Sequence, residues 1–430
     1  MTITDAQAGP DSRWNSAAAQ RNRRRRYLAD FRLRLYGLIA IILAVGVLGI
    51  LLVTIFIGGA SAFTQTRVEV TFTISADLIT EDNIQRGNFR QVVTNAVADL
   101  YPDIEDPTVL RAAASILTNN TQFFVRDEVL ANPSLIGQTI TMTIPVSDPF
   151  DQLRKGVISR DIPESQRRVS DQQIALFDRL AAEERVTTPV NWGLIFNDDS
   201  RFPELAGLKG AIIGTFYMIL VTFLISFPVG IAAAIYLEEF ARKGRWSRLI
   251  EVNINNLAAV PSVIFGLLGL AVFINFMGLP RSAPLVGGLV LSLLSLPTMI
   301  IVTRAALKAV PPSIREAAYG IGASKHQMVL HHVLPLALPG ILTGTILTLA
   351  NAIGETAPLL LIGMNAFVTT PPEGLLSAAT TLPTQIFIWA DSPERGFVAK
   401  TSAGIIVLLV FLILMNAVAI FLRRRLERTW

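Results

Sequence analysis

The sequence has no cysteine, only three histidines in 430 residues, and only 16% charged residues. Without cysteine, disulfide frameworks, thiolate metal sites and cysteine nucleophiles are excluded together. A soluble enzyme of this length carries about a quarter charged residues. The shortfall, with 51% hydrophobic residues and a positive mean hydropathy, excludes an ordinary soluble globule. No G-x-x-x-x-G-K-[ST] run occurs, so the chain has no P-loop of its own to cradle ATP.

What it does have is long apolar runs, at about 35–60, 209–237, 252–276, 284–308, 333–363 and 402–422. Each is read as a helix able to cross about 30 Å of hydrocarbon. Arg23–Arg26, Arg32 and Arg34 precede the first run, which is too long and too far from the N-terminus for a cleaved signal, so it reads as a retained anchor. Segments 1–34, 238–251, 304–332 and 423–430 together hold 20 Lys and Arg, whereas the short loops on the other side hold Arg281, Arg395 and Lys400. Such a bias sets orientation and predicts both termini in the cytoplasm of a bacterial inner membrane. The same clustering reads the net charge of +4 as membrane topology, with no nucleic acid as partner. Pro228, Pro261, Pro297, Pro335, Pro339 and Pro358 lie within or beside spans. Each removes a backbone donor, which is tolerable where neighbouring helices re-satisfy the freed carbonyls, as in a packed bundle.

One polar block interrupts the runs. Val68, Val70, Phe72 and Ile74 alternate with polar neighbours, as do Ile140, Met142, Ile144 and Val146, and both segments predict half-buried strands. Phe89, Val92, Val93, Ala96, Val97 and Leu100 share one helical face, and further helices are expected near Val109–Leu117 and Gln172–Glu184. The expected fold class is therefore an all-α polytopic membrane bundle of six transmembrane helices with a small inserted α+β extracytoplasmic domain. The expected division is a basic cytoplasmic tail (1–34), a first transmembrane helix (35–60), the extracytoplasmic domain (64–205) and a five-helix core (206–430) with a cytoplasmic hairpin at 311–332. The polar block holds no histidine and no recognisable nucleophile set, which leaves scaffold, docking or solute capture as its roles.

The hairpin is the most informative segment. In VPPSIREAAYGIGASKHQMVLHHVLP (310–335), Ser313 and Glu316 have capping-box spacing, as do Ser324 and Gln327. Gly320 and Gly322 offer helix-ending positions between them. A short helix, a glycine turn and a second helix make either a rigid knob for a partner surface or an ordinary interfacial helix. The segment resembles the EAA loop of ABC-importer permeases at Glu316, Ala317, Ala318, Gly320, Gly322, Leu334 and Pro335, with His332 where isoleucine is usual. NNLAAVPSVIFGLLGL (255–270), ALKAVPPSIREAAYGIGASK (306–325), LPLALPGILTGTIL (334–347), GETAPLLLIG (354–363) and LPTQIFIWADSP (382–393) are similar to phosphate permeases of the PstA type. The resemblance covers about 205–430 and leaves the polar insertion unexplained.

That resemblance implies a permease forming half of a heteromeric pore in a phosphate importer, working by alternating access and needing no cofactor. The implied partners are an ATP-binding subunit dimer, a second permease of the PstC type, an extracytoplasmic phosphate-binding protein and the lipid bilayer. Arg315, Glu316, Ala317, Ala318, Gly320 and Gly322 are the implied contacts with the ATP-hydrolysing subunit. Beside the resemblance, Thr348, Asn351 and Glu355 have i, i+3, i+7 spacing, which predicts one helical face lining the translocation path, with Gly344 and Thr356 extending it. An ionisable residue inside a span is a functional candidate, and the family often carries arginine where this chain has Asn351. Arg304 is expected to snorkel to the interface, or to contact an anion at the exit. His326, His331 and His332 are not spaced as a metal site. Permeases for sulfate or molybdate share the architecture; a membrane sensor or a secondary transporter is the reading from another class.

Overall fold

The computed structural model describes residues 17–242 and 244–426. Residues 1–16 of the expected basic tail lie outside the described residues. Helix α1 (Ala17–Ala60) runs on from the basic stretch without a break, so its 44 residues begin well before the apolar run read from the sequence.

The polar insertion folds around a three-stranded antiparallel sheet of order β2-β1-β3, with β1 at Arg67–Thr73, β2 at Thr139–Pro145 and β3 at Val186–Thr187. The alternation read from the sequence sets its register: Val68 pairs with Ile144, Val70 with Met142 and Phe72 with Ile140. A slip of one residue would turn the buried Val68, Val70 and Phe72 out to solvent. Their face packs on α2 (Phe89–Leu100), which buries Phe89, Val92, Ala96 and Val97. Around these lie α3 (Pro107–Ala114), α4 (Thr121–Ala131), α5 (Asp148–Arg154) and α6 (Asp171–Ala182). Buried Tyr101 donates its hydroxyl to the Leu176 carbonyl at 3.0 Å, and burial raises its pKa above the ordinary phenol value. Helices α4 and α5 and strand β3 went unseen in the sequence. The apolar face of α4 is narrow, and β3 has two residues.

The ends of the insertion are clamped together. Thr64 and Val190 form an isolated antiparallel bridge, and Asn191 Nδ2 donates to the Ala62 carbonyl at 3.0 Å. Lys155 Nζ donates to the carbonyls of Ser61 and Thr64, both at 2.7 Å, and pairs with Asp151 at 2.6 Å. Thr118 Oγ1 donates to Glu204 Oε1 at 2.7 Å, while Gln65 donates to the Glu204 carbonyl. Trp389 Nε1 donates to Asp199 Oδ1 at 3.2 Å. Desolvation pushes the Glu204 and Asp199 carboxyls above the usual carboxylate range.

After the insertion come α7 (Lys209–Ile235), α8 (Arg245–Ala258), α9 (Ser262–Leu268), α10 (Pro284–Ala309), α11 (Pro312–Gly320), α12 (Leu334–Gly354), α13 (Ala357–Leu361), α14 (Leu382–Ala390) and α15 (Gly396–Leu426). Five helical stretches among the described residues are long and apolar enough to cross a membrane: 19–63, 209–240, 284–309, 325–354 and 396–425. The protein is thus a multi-pass membrane protein, a largely helical bundle with a small inserted sheet domain.

Two expected spans are corrected. The run at 252–276 is not one helix: α8 and the Ser262–Phe276 stretch meet at 99°. Pro261 disfavours the helical conformation at Val260 and breaks the chain there. The run at 333–363 is also interrupted. Helix α12 stops at Gly354 and Glu355 is extended, with ψ 106°. Pro358 has no N–H for the Gly354 carbonyl, and its ring would clash with it. Pro228, Pro297 and Pro339, by contrast, remain inside helices. Lys400, read as an outside-loop cation, sits near the start of α15, 5% exposed, where it donates to the Ala206 carbonyl.

Small residues let the core helices approach closely, which is where helices in lipid gain packing energy. A Cβ on Gly288 of α10 would lie 2.5 Å from Val221 Cβ of α7, and one on Gly344 of α12 would lie 1.8 Å from Val302 Cγ1 of α10. Gly344→Ala is therefore expected to cost about 1–3 kcal/mol through overpacking. The thermal unfolding midpoint of the purified protein measures it, and adding Val302→Ala should restore most of the loss.

Candidate coupling site and translocation face

Helix α11 begins directly after Pro311, with Pro312 in its first turn. Ser313 therefore lies inside the helix, and no side-chain capping bond forms at its start; the expected Ser313–Glu316 box is absent. Proline at the first position has no N–H to satisfy, which makes a side-chain cap less needed. The second box is present. The Ser324 backbone N–H donates to Gln327 Oε1 at 2.9 Å, and Ser324 Oγ accepts from the Gln327 N–H at 3.4 Å. Between the two, Gly322 turns the chain at φ +84°, a left-handed conformation that favours glycine. The chain then winds through a π-helical turn, Met328–Val333, into α12.

This geometry sorts the predicted coupling residues. Glu316, Ala317, Gly320 and Gly322 are exposed on the hairpin. Ala318 is buried in the cluster holding Leu307, Val310, Met328, Val329 and Val333. Arg315 also turns inward. Its Nη2 contacts Glu239 Oε1 at 2.8 Å and the Leu307 carbonyl at 3.0 Å, and its Nη1 reaches the Val310 carbonyl at 2.8 Å. Arg315 is a staple under the hairpin: it neutralises the 7%-exposed Glu239 side chain and caps the carbonyl end of α10. The sequence reading missed Tyr319 and Ile321, 47% and 80% exposed beside the glycines. Large side chains flanking Gly320 were the signal for them.

Arg304 does not snorkel. Its guanidinium lies 2.6 Å from Glu251 Oε1 and 3.3 Å from Glu238 Oε2, with 16% of the side chain exposed. Lys308 adds a looser contact to Glu238 at 3.6 Å. In this conformation two of the three Arg304 guanidinium nitrogens are engaged by carboxylates. His326 packs on Phe240 with ring centroids 5.0 Å apart. Among the described residues no group of three His, Asp or Glu side chains is placed to hold a metal ion.

The predicted polar stripe is divided. Thr348 is buried and back-bonded to the Gly344 carbonyl at 2.9 Å, on the side of α12 where Gly344 meets Val302. Asn351 is exposed, while Glu355 and Thr356 are half-buried beyond the end of the helix. Glu355 therefore does not share a helical face with Thr348 and Asn351; the break before Pro358 removes it. The exposed face of α12 instead carries Gly340, Thr343, Leu347, Asn351 and Gly354, spaced by threes and fours as one helical stripe.

Residues 226–430 match the family described as the binding-protein-dependent transport system inner membrane component. Residues 20–164 match one described as a domain of unknown function, DUF3333. The phosphate transport system permease protein PstA of Yersinia pestis is 36% identical over 229 residues, which are 52% of this chain and 76% of that protein. The chain belongs to the PstA-like family of ABC-transporter permeases. Phosphate transport system permease protein PstA 2 of Mycobacterium bovis is 32% identical over 250 residues, 57% of this permease and 80% of its own length. The probable ABC transporter permease protein YqgI of Bacillus subtilis is 29% identical over 229 residues, 50% and 76% of the two chains. A chain of the inward-facing MetNI methionine ABC transporter aligns at TM-score 0.40 and 20% identity, over 52% of this permease and 95% of that chain. The permease is a transport subunit of the inner membrane.

Arg315 gives the first test of how this permease holds its hairpin. Arg315→Gln leaves Glu239 unpaired in a buried site, a change that typically costs about 3 kcal/mol or more. The thermal midpoint should fall accordingly. Arg315→Lys should fall between, because it keeps the charge and loses the planar fork that reaches two carbonyls.

Proposed function

We propose that this permease is one half of the heteromeric translocation pore of an ATP-driven importer for inorganic phosphate. The observation that carries the reading is the hairpin. Glu316, Ala317, Tyr319, Gly320 and Ile321 form an exposed knob on a base fixed by the Arg315–Glu239 pair. A rigid, exposed knob suits a groove on an ATP-hydrolysing subunit, and the chain carries no P-loop of its own. Phosphate as substrate is supported by the names of the Yersinia and Mycobacterium relatives and by the GETAPLLLIG and IFIW words.

In this reading the exposed face of α12, with Asn351 at its polar point, meets a second permease of the PstC type across the path. Glu355 and Thr356 lie at its outer end. An anion beside Glu355 is repelled unless that carboxyl is protonated or paired, so the cation that would hold phosphate is assigned to the partner permease. The hairpin lies in the cytoplasm with both termini, following the excess of Lys and Arg on that side. The 64–205 insertion then faces outward, toward an extracytoplasmic phosphate-binding protein. ATP-driven closure of a dimer of ATP-binding subunits would move the hairpins and rock the helices between inward and outward states.

Three comparisons test this. In phosphate-starved cells lacking the chain, high-affinity phosphate uptake should be lost while sulfate uptake persists. The reverse pattern keeps the architecture and assigns another oxyanion. Glu316→Ala and Gly320→Leu should leave membrane insertion intact and uncouple ATP hydrolysis from transport; normal uptake in both rejects the coupling role. Asn351→Ala is expected to reduce uptake less than Glu355→Ala, and abolition of uptake by Asn351→Ala alone would reverse the roles given to the two residues.

A further inference from the structure

The inserted domain contains a half-open cavity of about 660 Å³ between α2, α3 and the start of α4. Arg90 of α2 and Arg111 of α3 line it, with Asn119 and Gln122 as further polar groups and Val93 and Leu110 among its apolar ones. No Asp or Glu is among the residues lining it. Six other arginines of the same domain are neutralised: Arg126 by Asp127, Arg160 by Asp178, Arg167 by Asp171, Arg168 by Glu394, Arg179 by Asp103 and Arg185 by Glu183; Arg67, Arg86, Arg154 and Arg201 do not line the cavity. Among the described residues neither Arg90 nor Arg111 has a carboxylate within ion-pair distance. Arg111 uses its Nε to bond the Pro107 carbonyl at 3.2 Å, which holds the guanidinium and leaves both terminal nitrogens unspent.

We propose that this cavity is a binding site for a small organic anion, a phosphate monoester or carboxylate with an apolar body. Arginine presents paired donors that match the oxygens of such a group. Apolar atoms form the larger share of the lining surface, eight side chains add polar groups, and the volume lies within the roughly 300–1,000 Å³ of small-molecule sites. A bare inorganic oxyanion would leave most of the apolar lining wet, so the apolar body is part of the assignment. The same head group occurs in soluble metabolites and in anionic lipids. The floor of the cavity includes Thr118, whose hydroxyl bonds Glu204 at 2.7 Å. The occupant thus lies one side chain away from the segment that leads into α7. This site is separate from the permease assignment and is read without transport.

The test uses the full-length purified protein in phosphatidylcholine nanodiscs, with phenyl phosphate, phenylacetate, inorganic phosphate and neutral phenol as calorimetric probes. Saturable binding of phenyl phosphate or phenylacetate is expected, tighter than that of inorganic phosphate and absent for phenol. The double variant Arg90→Gln/Arg111→Gln should weaken it about tenfold or more, since two charged hydrogen-bonding groups are lost. Arg126→Gln, an arginine outside the cavity, should leave it unchanged. The thermal midpoint without ligand, unchanged in the double variant, separates loss of the site from loss of the fold; if the midpoint falls, Arg90→Lys/Arg111→Lys replaces it in the same comparison. Competition by phosphatidylglycerol in the nanodiscs assigns the anion to lipid, and no competition assigns it to a soluble solute. No saturable binding of either organic anion, or equal binding by the arginine-substituted protein, overturns the proposal.

Discussion

The end of the bundle that carries the hairpin is organised by the need to neutralise charges at the edge of a low-dielectric region. Glu238 and Glu239 fall on a π-helical turn that closes α7, Glu251 lies on α8, and Arg304 and Arg315 come from α10 and α11. Moving any one element away strands a partly buried charge, which is far costlier than losing a surface pair. The hairpin inherits its position from this network, since Arg315 also holds two carbonyls at the end of α10. Among its exposed residues Gly322 makes the turn and Ser324 and Gln327 the cap, above the Arg315 staple.

A second constraint acts higher in the bundle, where polar side chains must be satisfied without water. Thr215, Thr222, Thr345 and Thr348 each return a hydrogen bond to the carbonyl four residues back. Thr222 also contacts the Gly288 carbonyl of α10 at 3.3 Å. Such side chains are internally complete, so threonine in these spans is weak evidence for a solute path. Asn351, exposed and without such a bond, is different in kind.

How much was legible follows from which forces are local. Alternation along Val68–Ile74 and Ile140–Val146 gave strands and register, because period two admits one buried face. The Ser324–Gln327 cap and the Gly322 turn were equally plain, being contained within a few residues. Where sequence reading failed, a proline or a distant partner decided. Pro261 and Pro358 broke runs that hydropathy alone joined, and the second break moved Glu355 off the helical face assigned to it. Arg304 looked like an interfacial cation and Arg315 like a contact for the ATP-hydrolysing subunit because their carboxylate partners lie 53–76 positions away in the chain. Ala318 looked like part of a docking surface because burial within a hairpin depends on how that hairpin leans.

The bridge between Thr64 and Val190 has a consequence for how such a protein is assembled. The two points where the chain leaves and rejoins its neighbouring helices are paired strand to strand, so their Cα atoms are about 5 Å apart. Everything between them folds around its own core of Val70, Phe72, Val97 and Phe177. The insertion is thereby modular in the literal sense. Its own pairing holds its two ends together, while Arg168 to Glu394 and Asp148 against Gly396 tie it to the start of α15.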